Sequence, residues 1–324
     1  MTQPYPGPGG PPPYPQGFQQ PYPVPYRPMP YQPMPAPARY RPLKKIAVVS
    51  IVLMGLTAVG AVIQSALMWS SYDEVKRFVY GLLSDEEVDR AVGSIAGTGP
   101  LLNLISYLLM GTGIAFLIWL WQARENTEFL SSPLAPRPRI EDGQPHRHAT
   151  GWVVGSWFCP MVQFWYPLQI MQDVTAASEP PEQRGASKRG PVRTLLYGWW
   201  ATWTGFWVIL VGGGGLAFLA FIVWIVRLVD AADTADATGD YVDIYDLQDF
   251  MVRVALAINI GFTVATLLLI AAGVAASLLL LRITRWQQDQ VTMPPAPAPA
   301  PPPPPQYAPR YNNPGPTFPS YGQR

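Results

Sequence analysis

Four long runs of apolar residues constrain this chain more than any other feature. They cover about residues 46–69, 100–121, 195–226 and 250–281, and charged side chains are almost absent from them. Each run, built as a helix, is long enough to cross ~30 Å of hydrocarbon. Helices satisfy their backbone hydrogen bonds internally, as lipid requires. The sequence therefore predicts an all-α integral membrane protein with four transmembrane helices.

Local signals refine two of these spans. Pro100 suits the first turn of a helix, so we expect the second span to begin there. Ahead of it, Ser84 and Glu87 have the spacing of a capping box, which predicts a helix N-cap at Ser84. The third run holds Gly212–Gly215 and is longer than a simple span needs. We expect one tilted or glycine-hinged helix there.

Proline separates the membrane domain from its flanks. Of the 39 prolines, 16 precede Leu43 and 13 follow Thr292. Such segments carry too few apolar side chains to offset the entropy of ordering. We therefore predict disordered cytoplasmic tails over residues 1–42 and 291–324, around a helical membrane domain at 43–290. The tails could be ligands for proline-recognising partners or soluble spacers.

Residues 151–178 form a fifth, interrupted apolar stretch. It is uncharged from Gly151 to Gln172 and contains Pro160 and Pro167. Because proline removes a donor and clashes with the preceding turn, we expect a short helix, a break and a second short helix. This would be a re-entrant or interfacial element, with Pro160 at its bend, packed against the four spans. Its predicted interface anchors are Trp152, Trp157 and Trp165.

The basic residues predict the orientation. If residues 151–178 do not cross the membrane, 17 of the 22 Lys and Arg residues lie on the side of both tails and three on the other. Cytoplasmic loops carry the excess of basic residues. We therefore expect a multi-pass protein of the cell membrane with both termini cytoplasmic. A fifth crossing would place the basic loop at 172–193 outside.

Three segments together resemble a known family. Their shared residues are Trp119, Ala123, Arg124 and Asn126, then Gly151, Trp152, Gly155, Trp157, Phe158 and Pro160, and finally Pro167, Gln169, Met171 and Asp173. Over about residues 43–281 the chain resembles the actinobacterial multi-pass membrane family catalogued as domain of unknown function 4328. The resemblance implies membrane location and helical architecture, but no chemistry. The candidate structural motif comprises Trp119, Arg124, Gly151, Trp152, Gly155, Trp157, Pro160, Trp165, Pro167, Gln169 and Asp173.

Several residue patterns bear on catalysis and ligand binding. His146 and His148 supply two ligands, whereas a metal site usually needs three or four. Cys159 lies in an apolar stretch without a basic neighbour, as an inert thiol does. Neither a nucleophile–base motif nor a phosphate-binding loop is present in the sequence. We therefore expect no enzyme, no metal and no cofactor. The net charge of +1 gives no reason to expect nucleic-acid binding.

Two further patterns leave alternatives open. Seven aspartates between Leu228 and Asp249 recur every three or four residues, which predicts a solvated acidic face of one helix. Trp199, Trp203 and Trp207 recur every four residues. They could line a groove for lipid or isoprenoid, or anchor a helix at the membrane interface.

Two functions are consistent with these patterns. The first is a non-enzymatic interaction or scaffold protein that displays Pro-rich tails to protein partners. The alternative is a lipid- or small-molecule-handling membrane protein whose site is the broken stretch at 151–178. In both cases membrane lipid is a partner.

Overall fold

The computed structural model describes residues 39–131, 146–183, 185, 190–239 and 243–292, and the regular elements in these ranges are all helical. The helices are α1 (Lys44–Ser70), α2 (Tyr72–Val79), α3 (Asp85–Leu130), α4 (Trp152–Gly155), α5 (Tyr166–Ser178), α6 (Pro191–Trp207), α7 (Gly214–Thr238) and α8 (Tyr245–Thr292). The predicted all-α class is confirmed.

Four helical stretches are long and apolar enough to cross a membrane: Lys44–Ser70, Gly99–Leu130, Pro191–Thr238 and Tyr245–Thr292. This confirms the predicted set of four. The helices extend beyond the predicted bounds, most of all α3, which begins at Asp85. Apolar runs mark only the part of a helix that lipid can surround, whereas the helix continues until a cap or breaker ends it.

The position of Pro100 within its helix was predicted wrongly. Helix α3 begins at Asp85, so Pro100 lies in its interior and not in its first turn. The cause is the capping box, in which the Ser84 backbone N–H donates to the Glu87 carboxylate at 3.0 Å. This box confirms the predicted N-cap and starts the helix well before the proline.

Helices α6 and α7 form one continuous helix through a π-helical turn at Val208–Gly213. That turn reaches Gly212 and Gly213, so the glycine-rich centre of the third run is a local irregularity within one helix. Such turns insert an extra residue and widen the helix. The prediction of one helix across the third run is confirmed, and its tilt or hinge stays a prediction.

The aspartates do not form one helical face, contrary to the prediction. Helix α7 ends at Thr238 because Gly239 adopts a left-handed conformation with φ 71°, which terminates helices. The first three aspartates, from Asp230 to Asp236, therefore lie on α7, while Asp246 and Asp249 lie on α8.

One end of the bundle carries most of the core. There the first turn of α1, the end of α3, the start of α6 and the end of α8 meet α4 and α5. Their shared cluster includes Leu43, Trp119, Leu120, Val153, Met171, Leu196, Leu279 and Ile283. We call this the motif end and the opposite one the far end. Because α3 ends and α6 begins at the motif end, the chain between them leaves and returns on one side, as predicted.

Candidate functional site

The broken element, residues 151–178, has the predicted helix–break–helix form. Helix α4 is one turn long, and turns with a 3₁₀ segment at Val162–Phe164 precede α5. Pro160 is exposed in the break, whereas Pro167 is buried in the first turn of α5, where its missing N–H needs no partner. Val153 and Met171 are fully buried in the core. The element therefore packs against the spanning helices.

Arg124 holds the entry to the broken element. It lies near the end of α3 and is only 4% exposed. Its guanidinium donates to the carbonyl oxygens of His148 and Ala149, just before α4 begins. The Glu128 carboxylate lies 3.8 Å from its Nε and supplies a partial counter-charge. A planar guanidinium with several fixed donors suits this double contact with backbone carbonyls.

Helix α5 holds the same segment from the other side. The Asp173 carboxylate accepts from the Arg147 backbone N–H at 3.0 Å and from its Nε at 2.9 Å. The side chains of His148 and Gln169 share a hydrogen bond of 2.7 Å, and the His148 ring stacks on Tyr166. Three motif residues from distant segments, Arg124, Gln169 and Asp173, thus converge on residues 146–149.

His146 is buried in this cluster. The Thr127 hydroxyl donates its one hydrogen to the Arg124 carbonyl, so it must accept from Nε2–H of His146, 2.8 Å away. Burial, together with the nearby Arg124 guanidinium, lowers the pKa of His146 to about 4. His146 is therefore neutral at physiological pH. Within the described ranges no group of three His, Cys, Asp or Glu residues could hold a metal ion.

Asn126 is the centre of a second buried network. Its side chain pairs with both the backbone N–H and the carbonyl of Arg41, each at 2.8 Å, and donates to Gln287 Oε1 at 3.0 Å. Gln287 in turn donates to the Ala123 carbonyl and to Ser178 Oγ. The network joins α3, the end of α5 and α8 to the chain just before α1.

This network lies close to both predicted bounds of the membrane domain. Arg41 belongs to the predicted tail 1–42 but is held by the core, and α8 extends to Thr292, two residues beyond the predicted end of the domain. The remainder of both predicted tails, residues 1–38 and 293–324, lies outside the described residues.

The other motif residues divide into buried and exposed sets. Trp119 is fully buried and donates to Thr284 at 3.2 Å. Trp152 packs edge-on against Tyr166. A side chain at Gly155 would begin in contact with the Trp152 ring. The exposed motif residues, outside the buried cluster, are Gly151, Trp152, Pro160 and Trp165.

Sequence reasoning missed Thr127, Ser178 and Gln287. In the sequence each is an ordinary polar residue close to a helix end, like many exposed ones. Gln287 and Gln290 lie three residues apart, which places them on one helical face, and both are buried. That spacing is the only local signal that could have drawn attention to them.

A groove of about 660 Å³ lies deeper in the bundle, next to the broken element. Helices α3 and α6 form its walls, and α1 and α8 lie behind it. The three tryptophans of the α6 stripe, Trp199, Trp203 and Trp207, all line it. The stripe therefore faces a groove, as the first of its two interpretations expected.

Aromatic rings close the groove at the motif end. The rings of Phe116 on α3 and Trp199 on α6 lie 5.8 Å apart. Trp157 of the broken element packs on both, at 5.7 and 6.5 Å, and also approaches Trp203. The Trp200 indole fastens the element by donating to the Phe164 carbonyl at 3.1 Å. Trp157 thus fills the space between α3 and α6 at this level.

The comparisons with known proteins place the three motif segments in one family. The family described as "Domain of unknown function (DUF4328)" matches residues 81–285, which is more than half of the chain. The match includes every residue of the candidate motif. The comparison with curated proteins gives no match, and neither does the comparison with solved structures.

Proposed function

This chain belongs to the DUF4328 family, and from that premise we propose that it is a non-enzymatic scaffold protein of the cell membrane, which displays two Pro-rich tails side by side. The observation that supports this function is the buried network of Asn126. It ties Arg41, near the end of the first tail, to Gln287, five residues before α8 ends at Thr292.

If the two tails leave the membrane domain at neighbouring points, this affects how a partner binds them. When a partner with two proline-recognising modules binds one tail, the second binding event becomes intramolecular, at an effective concentration in the ~mM range for short flexible linkers. Such a partner would bind the intact protein far more tightly than either tail alone. The Asn126 network holds the two points of attachment together and so keeps this effective concentration high.

Affinity purification from native membranes tests the scaffold function. The full chain is compared with variants that lack residues 1–38, residues 293–324, or both. We expect the loss of either tail to remove most of the co-purifying proteins, because bivalent binding fails without one of its two contacts. Size-exclusion chromatography and thermal unfolding of each variant control for folding. If the variant without both tails retains its partners, the scaffold function is wrong.

The proposed orientation places both tails in the cytoplasm and rests on the distribution of basic residues. Thr238 and Thr292 are exposed threonines at the far end and the motif end. Each is changed to cysteine in a Cys159→Ser background and treated with a membrane-impermeant maleimide. In intact cells we expect labelling of Thr238→Cys alone, and of Thr292→Cys only after permeabilisation. The reverse pattern would invert the orientation.

A second candidate function is the handling of a lipid or small apolar molecule. The groove favours it, since its volume lies within the ~300–1,000 Å³ of ordinary ligand sites and its lining is mostly apolar and aromatic. The broken element contributes Trp157 and Phe158 to that lining. The site would thus be beside this element, deeper in the bundle, and not within it.

A further inference from the structure

We propose that the groove holds one hydrocarbon chain of a phospholipid whose headgroup lies in the leaflet of the far end, with the chain's methyl end directed towards Trp157. This inference rests on the second candidate function and adds to it the class of ligand and its direction. The carrying observation is a groove whose lining hydroxyls are already paired and whose motif end is filled by aromatic rings packed edge-on and tilted against one another.

The hydroxyls of the lining show which chemistry the groove accepts. Thr57 Oγ1 donates to the Leu53 carbonyl at 2.8 Å and lies 3.4 Å from Thr112 Oγ1. Ser106 Oγ donates to the Leu102 carbonyl at 2.9 Å. None of the lining side chains is charged. Burial of a polar ligand group without partners costs free energy, so along this part of the lining the groove favours hydrocarbon over a sugar, nucleotide or charged headgroup. At the motif end, the indole N–H of Trp157 is buried without an acceptor.

The position of the groove decides what can enter it. Thr57 lies midway along α1, and the α8 lining from Leu269 to Gly273 lies midway along that helix. In a membrane these levels lie among acyl chains. Small residues give the groove its depth: a Cβ built on Gly113 would meet nothing within 4 Å. An acyl chain of a neighbouring phospholipid is therefore the ligand that is present at this level and is apolar like the groove.

The closed end of the groove determines the direction of the chain. At the motif end Phe116, Trp157 and Trp199 fill the space between α3 and α6. Ser106 and Leu210 border the groove towards the far end, where the following helix α7 has no buried residue. A headgroup cannot pass these packed rings, so it stays on the far-end side and the methyl end of the chain lies nearest to Trp157.

Photo-crosslinking with phospholipids that carry the reactive group at a known position of the acyl chain tests this inference. The full-length protein is reconstituted in phosphatidylcholine vesicles that contain a small fraction of one of two probes. One probe carries a diazirine near the methyl end of its acyl chain, the other near the ester. After illumination, labelled peptides are mapped by mass spectrometry. We expect the first probe to label the peptides of Phe116, Trp157 and Trp199, and the second to label those of Ser106 and Leu210.

A matched pair of variants shows whether the labelling reports the groove. Gly113→Leu fills the groove, whereas Gly55→Leu adds the same side chain to open space on α1, outside the lining. Neither new Cβ meets a neighbouring atom, so both variants should fold. Gly113→Leu should reduce labelling of the groove peptides several-fold, and Gly55→Leu should leave it unchanged.

The outcomes separate this inference from the function on which it rests. Labelling could depend on Gly113 while the methyl-end probe labels the peptides of Ser106 and Leu210 and the ester-end probe labels those at the motif end. The chain then enters from the other leaflet. That result overturns the inference, and the second candidate function stands. If the groove peptides are not labelled, or are labelled only in proportion to their exposure and regardless of Gly113→Leu, both are overturned. That result would also follow if another protein segment filled the groove.

Discussion

The motif end and the far half of the bundle are built by different means. At the motif end, Arg124, Asn126 and Gln287 are buried and each makes several hydrogen bonds to distant parts of the chain. In the far half, α7 has no buried residue and packs beside α8. Among apolar side chains, contact with lipid is nearly as favourable as contact with protein. Specific assembly at the motif end therefore comes from polar groups that find partners only in one arrangement.

The largest test of this comparison replaces a buried arginine. Arg124→Met leaves the carbonyls of His148 and Ala149 without their donors, and we expect a loss of about 3–5 kcal/mol in unfolding free energy. Arg253→Met is the control, since that side chain is 78% exposed at the far end, and should change stability by less than ~0.5 kcal/mol. SDS titration in mixed micelles measures both. Equal effects would contradict the comparison.

Two buried asparagines, one in each half, sharpen the comparison between the motif end and the far half. The Asn126 side chain makes three hydrogen bonds, whereas the Asn259 side chain makes one, to the Met68 carbonyl at 3.2 Å. We expect Asn126→Ala to cost about 2–3 kcal/mol and Asn259→Ala about 1 kcal/mol, because an unsatisfied buried group loses its full desolvation energy. The same titration compares them. A larger effect at Asn259 would show that the far half depends on polar contacts just as strongly.

Acidification should weaken the motif end selectively. The pKa of His146 is lowered to about 4 in the folded protein, against ~6.5 when unfolded. The unfolded chain therefore binds more protons between these values, so stability falls as pH drops through this window. From pH 7.5 to 5 we expect a loss of about 2 kcal/mol from this group. Thermal unfolding across that range measures it.

The control for this pH effect is His146→Gln, which removes the titrating ring. This variant should lose most of the pH dependence between pH 7.5 and 5, although its stability at pH 7.5 is lower. If the variant retains the same pH dependence as the original protein, the effect arises from other groups and the assignment to His146 is wrong.

The smallest expected effects come from two valines. Val192 is 3% exposed near the motif end, and Val226 is 62% exposed on α7. Val192→Ala should cost about 1–2 kcal/mol through lost packing. Val226→Ala should change stability by less than ~0.5 kcal/mol, since lipid replaces whatever the side chain contacted. A substantial loss at Val226 would indicate that α7 is covered by protein in the membrane.

Local chemistry explains what could be predicted. Ser84 and Glu87 signalled a helix start, and Pro160 and Pro167 signalled a broken stretch, because capping and proline effects act within a few residues. The prediction at Pro100 failed for the same reason. A proline suits a first turn but does not create one, and the stronger capping signal lay upstream. The spacing of aspartates likewise could not show that Gly239 would end the helix between them.

The motif shows the limit of such reasoning. Arg124 was one of the 17 basic residues that predicted the cytoplasmic side, yet it is buried and holds carbonyl groups. His146 and His148 looked like an incomplete metal site, yet each lies in a loop and pairs with a side chain of a neighbouring helix. Residue type predicted that these positions could form strong polar contacts. It could not predict the partners, which are about 20 residues distant along the chain.

By itself the sequence determined that this is an all-α membrane protein with four spanning helices and one proline-broken element. Hydropathy and proline chemistry act locally, so they can be read from neighbouring residues. Only the tertiary structure decided that Arg124, Gln169 and Asp173 meet at residues 146–149, and that Trp157 closes a groove between α3 and α6. Those contacts depend on the register at which long helices pack, and in lipid that register is selected by the few polar and aromatic groups that must find partners.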